Sequence, residues 1–174
     1  MILREGISMP LLLKLVAASA AIAGISSSAS GQAIVTQREI SLNAARAMAD
    51  AAIETCRKGN FRVSVTIVDS GGIIRVHVRD DGAAPHTIDA SFKKAYTSRT
   101  YRVPSADFMR RTEVGGNGRP GLRQIANVLG VPGGLPIKIG EETIGGIGVA
   151  GAPGDSGDES CAAAGIDKVK DQLN

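Results

Sequence analysis

The chain has 174 residues, 3% of them aromatic and none tryptophan, and a formal net charge of +3. That length suggests one domain with additions, and its core must be built from Val, Ile, Leu and Ala rather than rings. The charge is mild and its basic residues are spread out, which argues against a nucleic-acid-binding protein.

The first thirty-odd residues differ from the rest. Arg4 and Lys14 precede an apolar run, Leu15 to Ile25, and a small-residue tract follows from Ser26 to Ala33. This is the layout of a secretory signal peptide. Gly31-Gln32-Ala33 fits a small-x-small cleavage site, so residues 1–33 are expected to be leader and residues 34–174 the mature domain. Met9 is an alternative start to Met1, because MPLLLKLVAAS is by itself a full signal beginning. The apolar run is shorter than the ~20 residues a spanning helix needs; an uncleaved anchor is the competing reading.

Ser41 opens an amphipathic pattern in which Leu42, Ala45, Met48, Ala49, Ala52 and Cys56 share a face, and Gly59-Asn60 ends it. Val63, Val65 and Ile67 then alternate with Ser64 and Thr66; after Asp69-Ser70-Gly71-Gly72, Ile74, Val76 and Val78 alternate with Arg75, His77 and Arg79. Period-two alternation broken by a glycine turn predicts a β-hairpin. A polar loop from Arg79 to His86 leads to a second helix, with Thr87 as its cap, Asp89 in its first turn, Ile88, Phe92, Ala95, Tyr96 and Val103 on one face, and Pro104 as its stop. Ser105 is expected to cap a short helix through Arg111, before a glycine-rich loop from Thr112 to Gly121. Leu122 to Leu129 is apolar without a clear period, Gly133-Gly134-Leu135-Pro136 reads as a turn, and Ile137–Ile139 with Thr143–Ala150 reads as a second hairpin. A last helix begins at Asp155–Asp158, with Ala162, Ile166, Val169 and Leu173 inward and Cys161 at the edge. Antiparallel strand pairs with helices between them predict an α+β domain, its helices packed on one antiparallel sheet.

Cys56 and Cys161 are the only cysteines. An exported chain with an even count favours a disulfide; two thiols that never meet are the alternative, and no ligand spacing beside either suggests a metal pair. Gly146-Ile147-Gly148-Val149-Ala150-Gly151 matches G-x-G-x-x-G, but Pro153-Gly154 follows where a helix should start. The segment reads instead as a glycine-rich strand that something approaches closely. His77 lies on the polar face of its strand, where a solvated role is the plainer reading. His86, on a loop at a helix start, is placed to meet a ligand, although on the residues alone a surface loop histidine is the plainer reading. Lys94 adjoins the apolar side of its helix, so its charge needs a partner, with Asp69, Asp80 and Asp81 as candidates.

Val68-Asp69-Ser70-Gly71-Gly72, Arg79-Asp80-Asp81-Gly82-Ala83, Lys93-Lys94-Ala95-Tyr96-Thr97, Gly133-Gly134-Leu135-Pro136 and Gly145-Gly146-Ile147-Gly148-Val149-Ala150-Gly151 occur in the order seen in the GlcG/HbpS-like haem-binding family. The resemblance spans Ser41 to Leu173, and Asp158-Glu159-Ser160-Cys161-Ala162 together with Cys56 looks like the exported branch. It implies a profilin-like fold, assembly into a homo-oligomer, and haem as cofactor. It also implies a periplasmic or secreted protein for haem capture, buffering or sensing, with a membrane sensor as partner in some members. On this reading His86 is the expected iron ligand, in a pocket made by the Asp80–Thr87 loop and the glycine-rich strand; Arg79, Lys94 or Arg99 would pair with propionates. The competing readings are an enzyme or binder for a small organic acid or aromatic compound, lined by Asp69, Asp80, Lys94 and Tyr96, and an oligomeric accessory to a membrane sensor kinase without an obligatory cofactor. No nucleophile–base pair is visible, which leans against an enzyme.

Overall fold

A computed structural model describes residues 33–114, 118–154 and 156–173. The leader reading therefore lies outside the described residues, apart from Ala33. Contacts divide the chain after Thr36, and Gln37–Asn174 is the compact unit considered below.

Helix α1 (Leu42–Lys58) starts as its sequence dictates, Ser41 accepting from the Ala44 backbone N–H at 3.2 Å. Its buried face is Ala44, Ala45, Met48, Ala49, Ala52, Ile53 and Cys56, while Leu42 points outward. Strands β1 (Ser64–Val68) and β2 (Ile74–Arg79) form the expected hairpin. Its turn depends on Gly72, whose φ of 78° is open to glycine without strain, and on Asp69 Oδ1, which accepts from the Gly71 and Ile73 amides at 2.9 Å.

Helix α2 (His86–Tyr101) corrects the sequence reading in two ways. Thr87 does not cap it; Thr87 lies inside the first turn and donates to Ala84 O at 2.6 Å. The buried face is also not the Ile88–Phe92–Tyr96 stripe but Thr87, Ser91, Lys94, Ala95, Thr97 and Ser98. Helix α3 (Ser105–Arg111) follows, and Ser105 is likewise no cap: it donates to Val131 O at 2.6 Å and accepts from Gly134 N at 2.8 Å. The unassigned apolar segment begins with a 3₁₀ turn at Pro120–Gln124. The expected turn at Gly134-Leu135-Pro136 is instead the start of β3 (Gly134–Ile139), which pairs with β4 (Glu142–Ala150). A proline fits there because β3 is an edge strand, with one side free of ladder bonds. Helix α4 (Gly157–Asp167) and a 3₁₀ turn at Lys170–Gln172 end the described chain.

The sheet is antiparallel throughout, in the order β2-β1-β4-β3. One face carries Val65, Ile67, Ile147 and Val149, and α1 and α4 close the apolar core over it. A disulfide between Cys56 and Cys161, 105 residues apart, ties these two helices together.

The other face is built differently. A side chain added at Gly134, Gly146 or Gly148 would collide with the backbone oxygens of Lys94, Ala95 or Ser91. Helix α2 therefore rests directly on glycine backbone, as expected of a glycine-rich strand approached closely. This explains its buried face: large apolar residues do not fit, whereas Ser, Thr and Ala do. The helix ends at Arg102 in the left-handed region (φ 60°), ahead of Pro104.

Candidate functional site

The small polar residues of α2 find partners on β1. Ser64 Oγ lies 2.8 Å from Thr87 Oγ1, and Thr66 Oγ1 lies 2.8 Å from Ser91 Oγ. Thr66 also meets His77 Nδ1 at 2.7 Å, its cross-strand neighbour on β2. Ser91 Oγ in turn donates to Ile88 O at 3.0 Å. The result is a relay from ring to hydroxyl to hydroxyl to carbonyl. At its far end, His77 Nε2 is shielded from solvent and has no partner among the described residues. Burial lowers the His77 pKa, so the ring is neutral at physiological pH.

The Ile88–Phe92–Tyr96 stripe forms the outward side of the same helix. The Phe92 and Tyr96 rings are 5.9 Å apart, and Tyr96 stands against Gly72 in the hairpin turn. Ile88 is 41% exposed, and Ile73 and Ile74 at the hairpin tip are 68% and 48% exposed. An apolar surface thus lies at the hairpin turn, next to the strand β2, on which His77 and Arg79 share one side and Arg75 falls at a β-bulge.

The expected site residues separate into groups. His86 is exposed on the first turn of α2, and Arg79 is exposed at the end of β2. Asp80 is buried, and Arg57 Nε donates to its two oxygens at 3.1 and 3.0 Å. That guanidinium pulls the Asp80 pKa below the usual carboxylate value. Lys94 faces the sheet and takes none of the expected partners. Its Nζ donates to Asp158 Oδ2 at 2.7 Å and to Val149 O at 3.0 Å, while Asp158 Oδ1 accepts from Ala152 N at 2.8 Å. Lys94 and Asp158 are 4% and 6% exposed, so the pair is a buried clasp between α2 and α4. Asp69 is occupied by the hairpin turn. Asp69, Asp80, Lys94 and Tyr96 therefore do not converge on a pocket.

Arg99 lies about 20 Å from His86 along the helix axis, and its Nε is buried without a partner among the described residues. Two open cavities of about 440 and 290 Å³ run between α1 and the β2 edge, sharing Asp50 and Val78. The sequence reading passed over the Thr66–Ser91–His77 group. Its signal is a strand whose inward face carries Ser64 and Thr66, matched by Thr87 and Ser91 four residues apart on a helix.

Among the described residues, no helix is long and apolar enough to cross a membrane. Protein GlcG of Escherichia coli K12 is 29% identical over 111 residues, which cover 64% of this chain and 81% of GlcG. The crystal structure of a doubly substituted HbpS from Streptomyces reticuli superposes with a TM-score of 0.74 at 34% identity, covering 83% of this chain and 97% of that one. ORFY of Klebsiella pneumoniae gives 0.74 at 26% identity, covering 80% of this chain and 95% of that one. Residues 40–167 match the family model described as "Haem degrading protein HbpS-like". With its four-stranded antiparallel sheet carrying α2 on one face and α1 and α4 on the other, this chain belongs to the HbpS-like family.

Proposed function

We propose that this protein is an exported haem-binding protein that captures, buffers or senses haem. The observation that carries the reading is an unpaired imidazole nitrogen, tied through Thr66 and Ser91 to a helix whose outward side is apolar, in a chain of the HbpS-like family. Haem, when bound, supplies a Lewis-acidic iron on a broad apolar plane edged by propionates. The residues present fit such a group. The iron ligand would be one of the chain's two imidazoles, His86, which is open to solvent, or His77, whose Nε2 is unpaired. Arg79, exposed and on the His77 side of β2, is suited to a propionate. Lys94 is less suited, because its charge is already matched by Asp158. Tyr96 and Phe92 would line the porphyrin plane. Homo-oligomeric assembly and a membrane sensor as partner belong to the same reading, and the Cys56–Cys161 bond is compatible with an oxidising compartment.

A haemin titration followed by absorbance tests this function. The expected result is a saturable, stoichiometric Soret shift. Weak, unsaturable uptake would remove the reading. The family description includes haem breakdown, and a Soret band that decays under reductant would extend the proposal to that reaction.

A further inference from the structure

We infer that His77, through Nε2, is the imidazole of this chain built to ligate iron, with Thr66 as its positioning residue. The inference rests on the haem reading and decides between its two candidate ligands.

The argument begins with counting protons. The Ile88 carbonyl can only accept, so the contact from Ser91 uses the one hydroxyl proton of Ser91. Thr66 must then donate to Ser91, and that uses its own single proton. The remaining contact, 2.7 Å between Thr66 Oγ1 and His77 Nδ1, needs a proton from the ring. This is the one arrangement in which all three contacts hold a proton. The reverse arrangement leaves Ser91 without its bond to Ile88 O and buries an N–H on Nε2 with no acceptor. A buried donor without an acceptor loses its solvation with nothing in return, a cost that the first arrangement avoids. The network thus assigns the Nδ1–H tautomer and leaves Nε2 as a bare lone pair.

That arrangement is how a ligating histidine is normally held. One nitrogen donates to a fixed acceptor, which sets the tautomer and the ring angle and raises the basicity of the other. In His77 the acceptor is itself anchored through Ser91 to the backbone of α2. Arg79, two residues on, shares the His77 side of β2, whereas Arg75 falls at a β-bulge opposite Ile67 and does not follow the alternation. Arg79 makes no recorded ion pair among the described residues, while Arg75 is shared between Glu39 and Asp69. The Phe92–Tyr96 pair supplies an apolar surface on α2, the helix to which the His77–Thr66–Ser91 network is anchored. His86 has none of this support: it is exposed, and no hydrogen bond to its ring is recorded among the described residues. Because solvent does not reach His77 Nε2 in the free protein, coordination requires the covering side chains to yield. The Soret shift is therefore expected to develop more slowly than at an open surface imidazole.

The test compares the purified protein with His77→Ala, His86→Ala and Thr66→Val, each checked for fold by circular dichroism. In the haem-free protein, long-range ¹H–¹⁵N NMR of the imidazoles should show His77 protonated at Nδ1 alone. On haemin titration, the parent and His86→Ala should give the same saturable Soret shift. His77→Ala should bind at least about tenfold more weakly, and His77→Gly should recover the band when imidazole is added. Thr66→Val should keep haemin but lower the ferrous iron–imidazole stretching frequency, a readout that a purely structural Thr66 would leave unmoved. If binding is lost in His86→Ala and intact in His77→Ala, or if His77 carries its proton on Nε2, the inference fails while the haem reading stands. Equal, unsaturable uptake by all variants would overturn both.

Discussion

Asp80 ends the hairpin as a buried carboxylate whose charge is matched from α1 by Arg57, and it also accepts from the Asp81 backbone N–H at 2.8 Å. The bond from Arg57 is the main reason its folded-state pKa lies below that of a free carboxylate. The folded protein therefore takes up this proton less readily than the unfolded chain does. The stabilisation is fully present above the unfolded value, near 4, and is lost as pH falls through the folded value. Asp80→Asn should cost about 1–3 kcal/mol at neutral pH, and that difference should shrink in acid. Urea unfolding of both proteins at pH 7 and pH 3 checks this; a pH-independent difference would contradict it. At this scale the sequence was partly legible. It indicated that Lys94 needs a partner but not that the partner is Asp158, 64 residues away, because only tertiary packing brings α4 to it. It gave His77 a solvated role, because arginines on either side imply a wet face and nothing local reveals a hydroxyl network below.

Among the elements, the contact between α2 and β4 decides most. Gly148 lies where a methyl group would run into Ser91 O and Ala95 N, both of them backbone atoms of a helix that cannot move singly. Gly148→Ala is expected to destabilise by about 2–3 kcal/mol or more, against which Gly140→Ala is an imperfect control. Gly140 has open space around it, but its φ of 55° adds a strain of its own. A denaturation midpoint unchanged in Gly148→Ala would show that α2 does not sit this close. The closeness also explains why the helix itself was predictable and its inner face was not. Apolar periodicity marks the buried side when a neighbour offers side-chain-sized grooves. Against glycine backbone the inner residues must be small, and α2 meets that need with hydroxyls that pair with those of β1. Its apolar stripe is left outside, where the haem reading uses it. The β1–β2 hairpin and α1 were legible because both face an ordinary apolar core.

For the whole molecule, the two sides of the sheet are secured by different means. Apolar burial and one covalent bond hold α1 and α4; hydrogen bonds, the Lys94–Asp158 clasp and backbone contact hold α2. Closing a loop of 105 residues contributes up to ~4.7 kcal/mol in the chain-entropy model. Reduction should therefore lower Tm in a calorimetric scan, yet leave haemin uptake intact well below the transition, because His77 and the Phe92–Tyr96 pair lie away from the bond. Loss of uptake on reduction at low temperature would show that the two sides are coupled. The disulfide was readable from an even cysteine count, whereas the edge position of β3, which admits Pro136, emerges only once the strand order is known. The glycine contact has a further consequence for how such a sequence can drift. At Gly134, Gly146 and Gly148 every available substitution is an enlargement, so no stepwise path of tolerated single changes leads away from them while α2 stays in place. The outward stripe of α2 and the exposed Arg79 on β2 carry no such constraint, and the haem reading draws on both. The seat of α2 on the sheet is thus fixed by the smallest residues in the chain.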